Sequence, residues 1–238
     1  MKVAVCLSGL PRFFKTGYRF HKKHLFDKYQ PDVFIHTWYN ESPAEHDDVI
    51  DLYKPKKHLI QKDKEIVLPR EYSRGTSERY PAYNMFSLFK SIHESNNLRF
   101  EYENENDIDY DWVFRLRFDY ALNREFDLET MDNSKFHFSQ ELEDRGMVCD
   151  QFAFSSPRNM DLYSCVFENL DRYYSMGELM VAEHMISIHM KLNYLMDKVV
   201  WHDMNHPFNP RGTDSMPNSL IRKEVSLAKN VYQLMLER

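Results

Sequence analysis

Lys2-Val3-Ala4-Val5-Cys6-Leu7 runs directly into Ser8-Gly9-Leu10-Pro11-Arg12, and Asp32-Val33-Phe34-Ile35-His36-Thr37-Trp38 repeats the pattern after Pro31. Both runs are apolar at odd and even positions alike. A strand with one face in water alternates, whereas one buried on both faces in a parallel sheet does not. Between them Phe14, Tyr18, Leu25, Phe26 and Tyr29 recur at roughly helical spacing. The opening therefore reads as strand, helix, strand, the unit from which parallel sheets are built.

The rest of the chain extends this reading. Lys57–Gln61 is a short third strand. Pro81 opens a helix lined by Met85, Leu88, Phe89 and Ile92 and running to about Glu103, because proline suits a first turn and those residues share a face. Tyr110–Arg117 is a strand that the chain leaves at Phe118-Asp119, and further strands are expected at Lys135–Phe138 and Gln151–Ser155. Ser156-Pro157 starts another helix, a later one covers about Glu178 to Lys191, a last strand about Tyr194 to Trp201, and the tail from Leu220 is helix-like. The fold class is α/β, a mostly parallel sheet flanked by helices. With no repeat or linker, one domain is expected over residues 1–238.

Composition narrows the function. Of 238 residues 42% are hydrophobic, and 37 acidic against 31 basic residues give a net charge of −6. That supports a sizeable core and, without a basic block, argues against a nucleic-acid groove, while leaving room for a local cationic pocket. Cys6, Cys149 and Cys165 form neither a disulfide framework nor a zinc spacing, which fits a reducing compartment. The apolar start is too short for a signal-peptide core and no run is long enough for a membrane span. A soluble cytoplasmic protein is expected, and nothing in the sequence sets its oligomeric state.

In open α/β sheets ligands lie beyond the carboxyl ends of the strands. There the chain carries Ser8-Gly9-Leu10-Pro11-Arg12, His36-Thr37-Trp38 and Arg117-Phe118-Asp119. Gly9 lets backbone approach a ligand, Arg12 can meet a phosphate and Trp38 can stack on a base; a tight turn with a surface arginine is the plain alternative. Arg115, Arg117 and Asp119 alternate on an otherwise apolar strand, and period two places them on one face. Such charges are costly to bury unless they bind something or form an internal salt-bridge network. On the binding reading Asp119 holds Mg²⁺ or Mn²⁺ on a diphosphate and Arg117 adds positive charge. Asp150 and Glu183, the latter in Met180-Val181-Ala182-Glu183-His184-Met185-Ile186, are candidate bases. His202 and His206, which follow the last strand without a zinc spacing, are either further metal ligands or plain loop residues. Asn84, Ser87 and Lys90 form a polar stripe that either faces a nucleotide or is solvated.

Taken in order, Val-Cys-Leu-Ser-Gly-Leu-Pro-Arg, Asp-Val-Phe-Ile-His-Thr-Trp, Tyr-Asp-Trp-Val-Phe-Arg-Leu-Arg-Phe-Asp, Asp-Gln-Phe-Ala-Phe-Ser-Ser and Ala-Glu-His resemble a family of small GT-A-type glycosyltransferases of bacterial polysaccharide clusters and large DNA viruses. The likeness covers roughly residues 1–200. It implies a Rossmann-like fold, a nucleotide-sugar donor, a glycan or other hydroxyl acceptor and usually Mn²⁺ or Mg²⁺, with a nucleotide-binding part over about 1–120 and an acceptor part over about 121–238. By position Asp119 corresponds to the last acid of the family's metal motif, and Arg117 stands where many members carry the first. Glu183 is similar in place to the acid that contacts or deprotonates the acceptor, with Asp150 as competitor. Ser8, Gly9, Arg12, His36, Thr37, Asn84 and Arg117 complete the expected donor site. Rival readings are a non-catalytic nucleotide- or glycan-binding module of the same fold and a sulfotransferase. The latter needs Ser/Thr and Gly after the first loop, where Phe13-Phe14-Lys15 stand.

Overall fold

The computed structural model describes residues 1–204 except 64, 65 and 79. Both His206 and the stretch from Leu220 lie outside the described residues. Seven strands form one sheet in the order β3-β2-β1-β4-β6-β5-β7, comprising β1 (Val3–Ser8), β2 (Asp32–Tyr39), β3 (Lys57–Lys62), β4 (Trp112–Arg117), β5 (Phe136–Ser139), β6 (Phe152–Ser155) and β7 (Val199–His202). β1 pairs in parallel with β2 and β4, β2 with β3, and β5 with β7. Only β6 runs against its neighbours. The mostly parallel sheet read from the apolar runs is therefore present, and β1 and β2 are buried almost throughout.

Two cores fill the faces. One gathers Ala4, Cys6, Phe34 and Val113 beneath α4 (Ala82–Asn106), α5 (Pro157–Ser164), α6 (Val166–Ser175) and α7 (Ala182–Leu192). The other gathers Val5, Leu7, Ile35, Phe114, Leu116, Phe152 and Phe154 with Leu25, Tyr53 and residues 118–128. Its aromatic rings interlock, with Phe114 and Phe154 stacked 4.5 Å apart and Tyr120 and Phe152 5.2 Å apart. Among the described residues no helix is long and apolar enough to cross a membrane.

Several elements differ from the sequence reading. α3 (Asp47–Tyr53) occupies what read as a polar loop; its seven residues bury only Val49 and Tyr53, too few positions for a periodic signal, while Asp47 and Asp48 suit the positive end of a helix. The helix after Pro157 is divided at Cys165 into α5 and α6. The helix expected from Glu178 begins at Ala182, and the last strand contracts to Val199–His202.

The first helical run starts with α1 (Phe14–His21), widens for one π-type turn (Lys22–Phe26) and finishes in α2 (Asp27–Tyr29). α1 rests directly on the chain leaving β4. A Cβ added at Gly17 would lie 1.8 Å from the Phe118 carbonyl oxygen, so only glycine permits this approach. His21 continues the contact, its Nε2 lying 2.7 Å from the Tyr120 carbonyl and its Nδ1 3.1 Å from the Tyr53 hydroxyl. Gly17→Ala is expected to destabilise the fold by about 2 kcal/mol or more, the usual scale of overpacking against backbone. Urea denaturation checks this, and an unchanged midpoint would refute the close packing.

Candidate active site

From β1 the chain proceeds to β2 and β3 on one side, while β4 lies on the other. The gap beyond the carboxyl ends of β1 and β4 is thus a topological switch point, where open α/β sheets bind ligands. Register places His36, Ser8 and Arg117 in one row across β2, β1 and β4. Ser8 is buried, and its hydroxyl has no hydrogen-bond partner among the described residues. Gly9 follows at φ 100° with nothing within 4 Å of an added Cβ, leaving open space against its backbone. Its N–H donates to Ser91 Oγ at 2.7 Å.

The other expected donor residues divide. His36 lies 2.8 Å from Ser91 Oγ and 3.0 Å from Gln61 Oε1, and burial pushes its imidazole down to about 4. It is a neutral strut between β2, β3 and α4. Ser91, which the sequence reading passed over, joins β1, β2 and α4 through Gly9 N–H, the His36 ring and the His36 carbonyl. Strand alternation sends Thr37 to the opposite side from His36; its buried hydroxyl has no partner among the described residues. Lys90 Nζ stands 5.7 Å above the Trp38 ring. Arg12 and Asn84 are exposed.

On β4, Arg115 and Arg117 share the face of Val113. Arg115 is 1% exposed. It donates from Nη1 to the Gln151 carbonyl at 2.6 Å, while its Nε and Nη2 find no partner among the described residues. Burial pulls its guanidinium below the usual range, against the pull of Tyr163 and Asp150. Asp119 does not continue this strand face. The strand ends at Arg117 and the chain turns, which brings Asp119 back onto Arg117. Nε donates to Oδ1 at 2.8 Å and Nη2 to Oδ2 at 2.6 Å. The salt-bridge alternative is therefore realised in this pair, and its geometry is the strong, bidentate kind.

Asp150, 6% exposed, precedes β6 at the same edge. Glu183 is half-buried in the first turn of α7. Ser187 ties the two segments together, its Oγ accepting from Val148 N–H at 3.0 Å and donating to the Glu183 carbonyl at 2.6 Å. Burial and the negative charge of Asp150 raise the Glu183 carboxyl to about 7, although Arg117 and Arg145 pull it down. A carboxyl that exchanges its proton near neutrality suits general-base work.

A resident Mg²⁺ or Mn²⁺ requires carboxylate oxygens with open positions. Both Asp119 oxygens already receive Arg117, and among the described residues no three His, Cys, Asp or Glu side chains converge as a ligand set. The residues present do not fit the ion as arranged. His202 is not brought to Asp119: its Nε2 meets His137 Nδ1 at 2.9 Å, and its ring packs against Phe126 and Phe154 in the core of the opposite face. A groove of about 470 Å³ also lies on that other face, lined by Lys15, Tyr18, Arg19, Asp48, Asp51 and Leu52. Lys15 and Asp48 pair there at 2.8 Å, so its charges largely answer one another.

No protein-family model and no curated protein matches this sequence. Among solved structures the chain is similar to the glycosyltransferase GlyE of Streptococcus pneumoniae TIGR4, with 12% identity, TM-score 0.44, and coverage of 85% of this chain and 46% of that one. It thus spans less than half of GlyE. It is also similar to a glycosyltransferase involved in the glycosylation of the major capsid of PBCV-1, with 10% identity, TM-score 0.42, and coverage of 85% and 82%.

Glu183 has a measurable consequence for stability. Its folded value of about 7 exceeds the unfolded value of about 4.3, so between these the folded state binds more protons. Stability from this group falls as pH rises from about 4.3 to 7 and is flat above. Glu183→Gln is expected to stabilise the protein at pH 8 by about 1–3 kcal/mol, a gain that vanishes below about pH 4. Equal denaturation midpoints at pH 8 would refute the raised affinity.

Proposed function

We propose that the chain is a nucleotide-sugar-dependent glycosyltransferase whose site lies beyond β1 and β4. The observation that carries this reading is Glu183, a half-buried acid shifted to about 7 beside Asp150 and Arg117 at the switch point of a parallel sheet. In the proposed reaction the Glu183 carboxylate takes the proton of an acceptor hydroxyl. That oxygen then attacks the anomeric carbon, and the bond to the nucleoside diphosphate breaks. Arg117 meets the negative charge that develops on the departing phosphate, a role suited to a planar, always-charged guanidinium. Arg115 sets the frame by holding the Gln151 carbonyl next to Asp150. Gly9 and Ser8 supply the open backbone and free hydroxyl against which the donor rests.

A second reading, a nucleotide- or glycan-binding module without turnover, draws support from the engagement of Asp119 with Arg117. Release of the donor's nucleotide, a nucleoside diphosphate or, from a CMP-sugar, CMP, separates the two, since only an enzyme produces it. Mn²⁺ and Mg²⁺, expected from the resemblance, are a variable of the test.

A thermal-shift screen with UDP-, GDP-, CMP- and dTDP-linked sugars, each with Mn²⁺ and with chelator, is expected to show stabilisation by one nucleotide class. Arg117→Ala should weaken that binding about tenfold or more, as loss of a charge-assisted bidentate contact does. Glu183→Gln should leave it intact and remove transfer. Stabilisation by none of the donors would sink the proposal, and undiminished turnover in Glu183→Gln would take the base role from Glu183.

A further inference from the structure

Between β3 and α4, residues 72–74 are pinned to α6. Tyr174 Oη accepts the N–H groups of Ser73 at 3.0 Å and Arg74 at 3.3 Å. The Arg74 guanidinium stacks 3.9 Å from the centre of the Tyr174 ring and donates to the Tyr174 carbonyl. Tyr72 packs edge-on to the same ring at 4.7 Å and donates to Asp171 Oδ1 at 2.8 Å. The donors converging on Tyr174 pull its phenol down to about 8.

The same loop then grips the chain that enters α7. Met180 N–H donates to the Arg74 carbonyl at 3.0 Å. Gly75, at φ +77°, lies so near that an added Cβ would stand 2.8 Å from Met180 N, 3.1 Å from Leu179 Cβ and 3.2 Å from Val181 Cγ2. Val181 is the cap residue of α7, yet no side chain caps that end, and Glu183 is in the turn that follows.

We propose that residues 72–75, ahead of α4, are a clamp that positions Glu183, with Arg74 and Gly75 as positioning residues. This rests on the reading of Glu183 as the acceptor base. The clamp fixes the approach to α7 from one side, as Ser187 with Val148 does from the other, and so keeps the acid among Asp150, Arg117 and Arg145.

The test is a carbon-13 NMR titration of the Glu183 carboxyl, assigned by comparison with Glu183→Gln, in the unmodified protein and in Arg74→Ala, Gly75→Ala and Tyr174→Phe. Tyr174→Phe keeps the ring and its carbonyl and removes only the hydroxyl, so it serves if the other two fail to fold. Lys15→Ala, which loses the exposed pair with Asp48 on the other face, is the control. The midpoint is expected near 7 in the unmodified protein and the control, and lower by about one pH unit or more in the clamp variants as the first turn of α7 rehydrates. A midpoint that stays near 7 in every clamp variant, or that falls equally in the control, overturns the clamp. A midpoint near the ordinary glutamate value in the unmodified protein instead overturns the reading of Glu183 as base, and the clamp's role with it.

Discussion

A central strand that carries two arginines can be buried only if each guanidinium is met by an anion or a carbonyl, and the ligand edge of this sheet is arranged around that requirement. An unanswered ionic group in the interior costs several kcal/mol. Arg117 is met by Asp119, which the chain delivers by turning sharply after β4. Arg115 is met by the Gln151 carbonyl at the start of the one antiparallel strand, with Asp150 adjacent. The turn in turn depends on Gly17, which lets α1 approach the Phe118 carbonyl, and on His21, which holds Tyr120. The charges that organise this edge of the fold are also the ones available to a charged ligand.

Glu183 shows the opposite economy. Among the described residues nothing pairs it fully; burial and Asp150 oppose its ionisation while Arg117 and Arg145 only partly relieve it. A group kept at such a cost in stability is common at functional sites, where activity and stability pull apart. Its position is fixed through its neighbours: Ser187 and Val148 tie α7 to the Asp150 segment, and the loop before α4 holds the approach to Val181. The first constraint runs through the Ser187 hydroxyl to two backbone groups, and the second joins backbone to backbone.

Much of the fold was legible because doubly buried strands leave apolar runs, as in β1 and β2 and, interrupted by arginines, in β4. Parity also placed Arg115 and Arg117 on one face. Parity failed beyond the strand end, where a turn rather than a pleat decides where Asp119 goes, and it does not reach His202, which lies past the strand as read from sequence but ends β7 with its ring in the core of the opposite face. Ser91, Gly17 and Ser187 left no signal, since a serine or glycine inside a helix has no distinctive pattern. Their importance comes from what happens to lie against them in space. α3 was missed because seven residues with two buried positions give no period to detect.

Hydrogen exchange followed by mass spectrometry, with and without a saturating nucleotide-sugar, tests the location of the site most directly. The account predicts slowed exchange in the segments around Ser8–Arg12, Arg117–Tyr120 and Val148–Gln151, with the Lys15–Leu52 groove unchanged. Protection confined to that groove, or absent from the loops after β1 and β4, would contradict it.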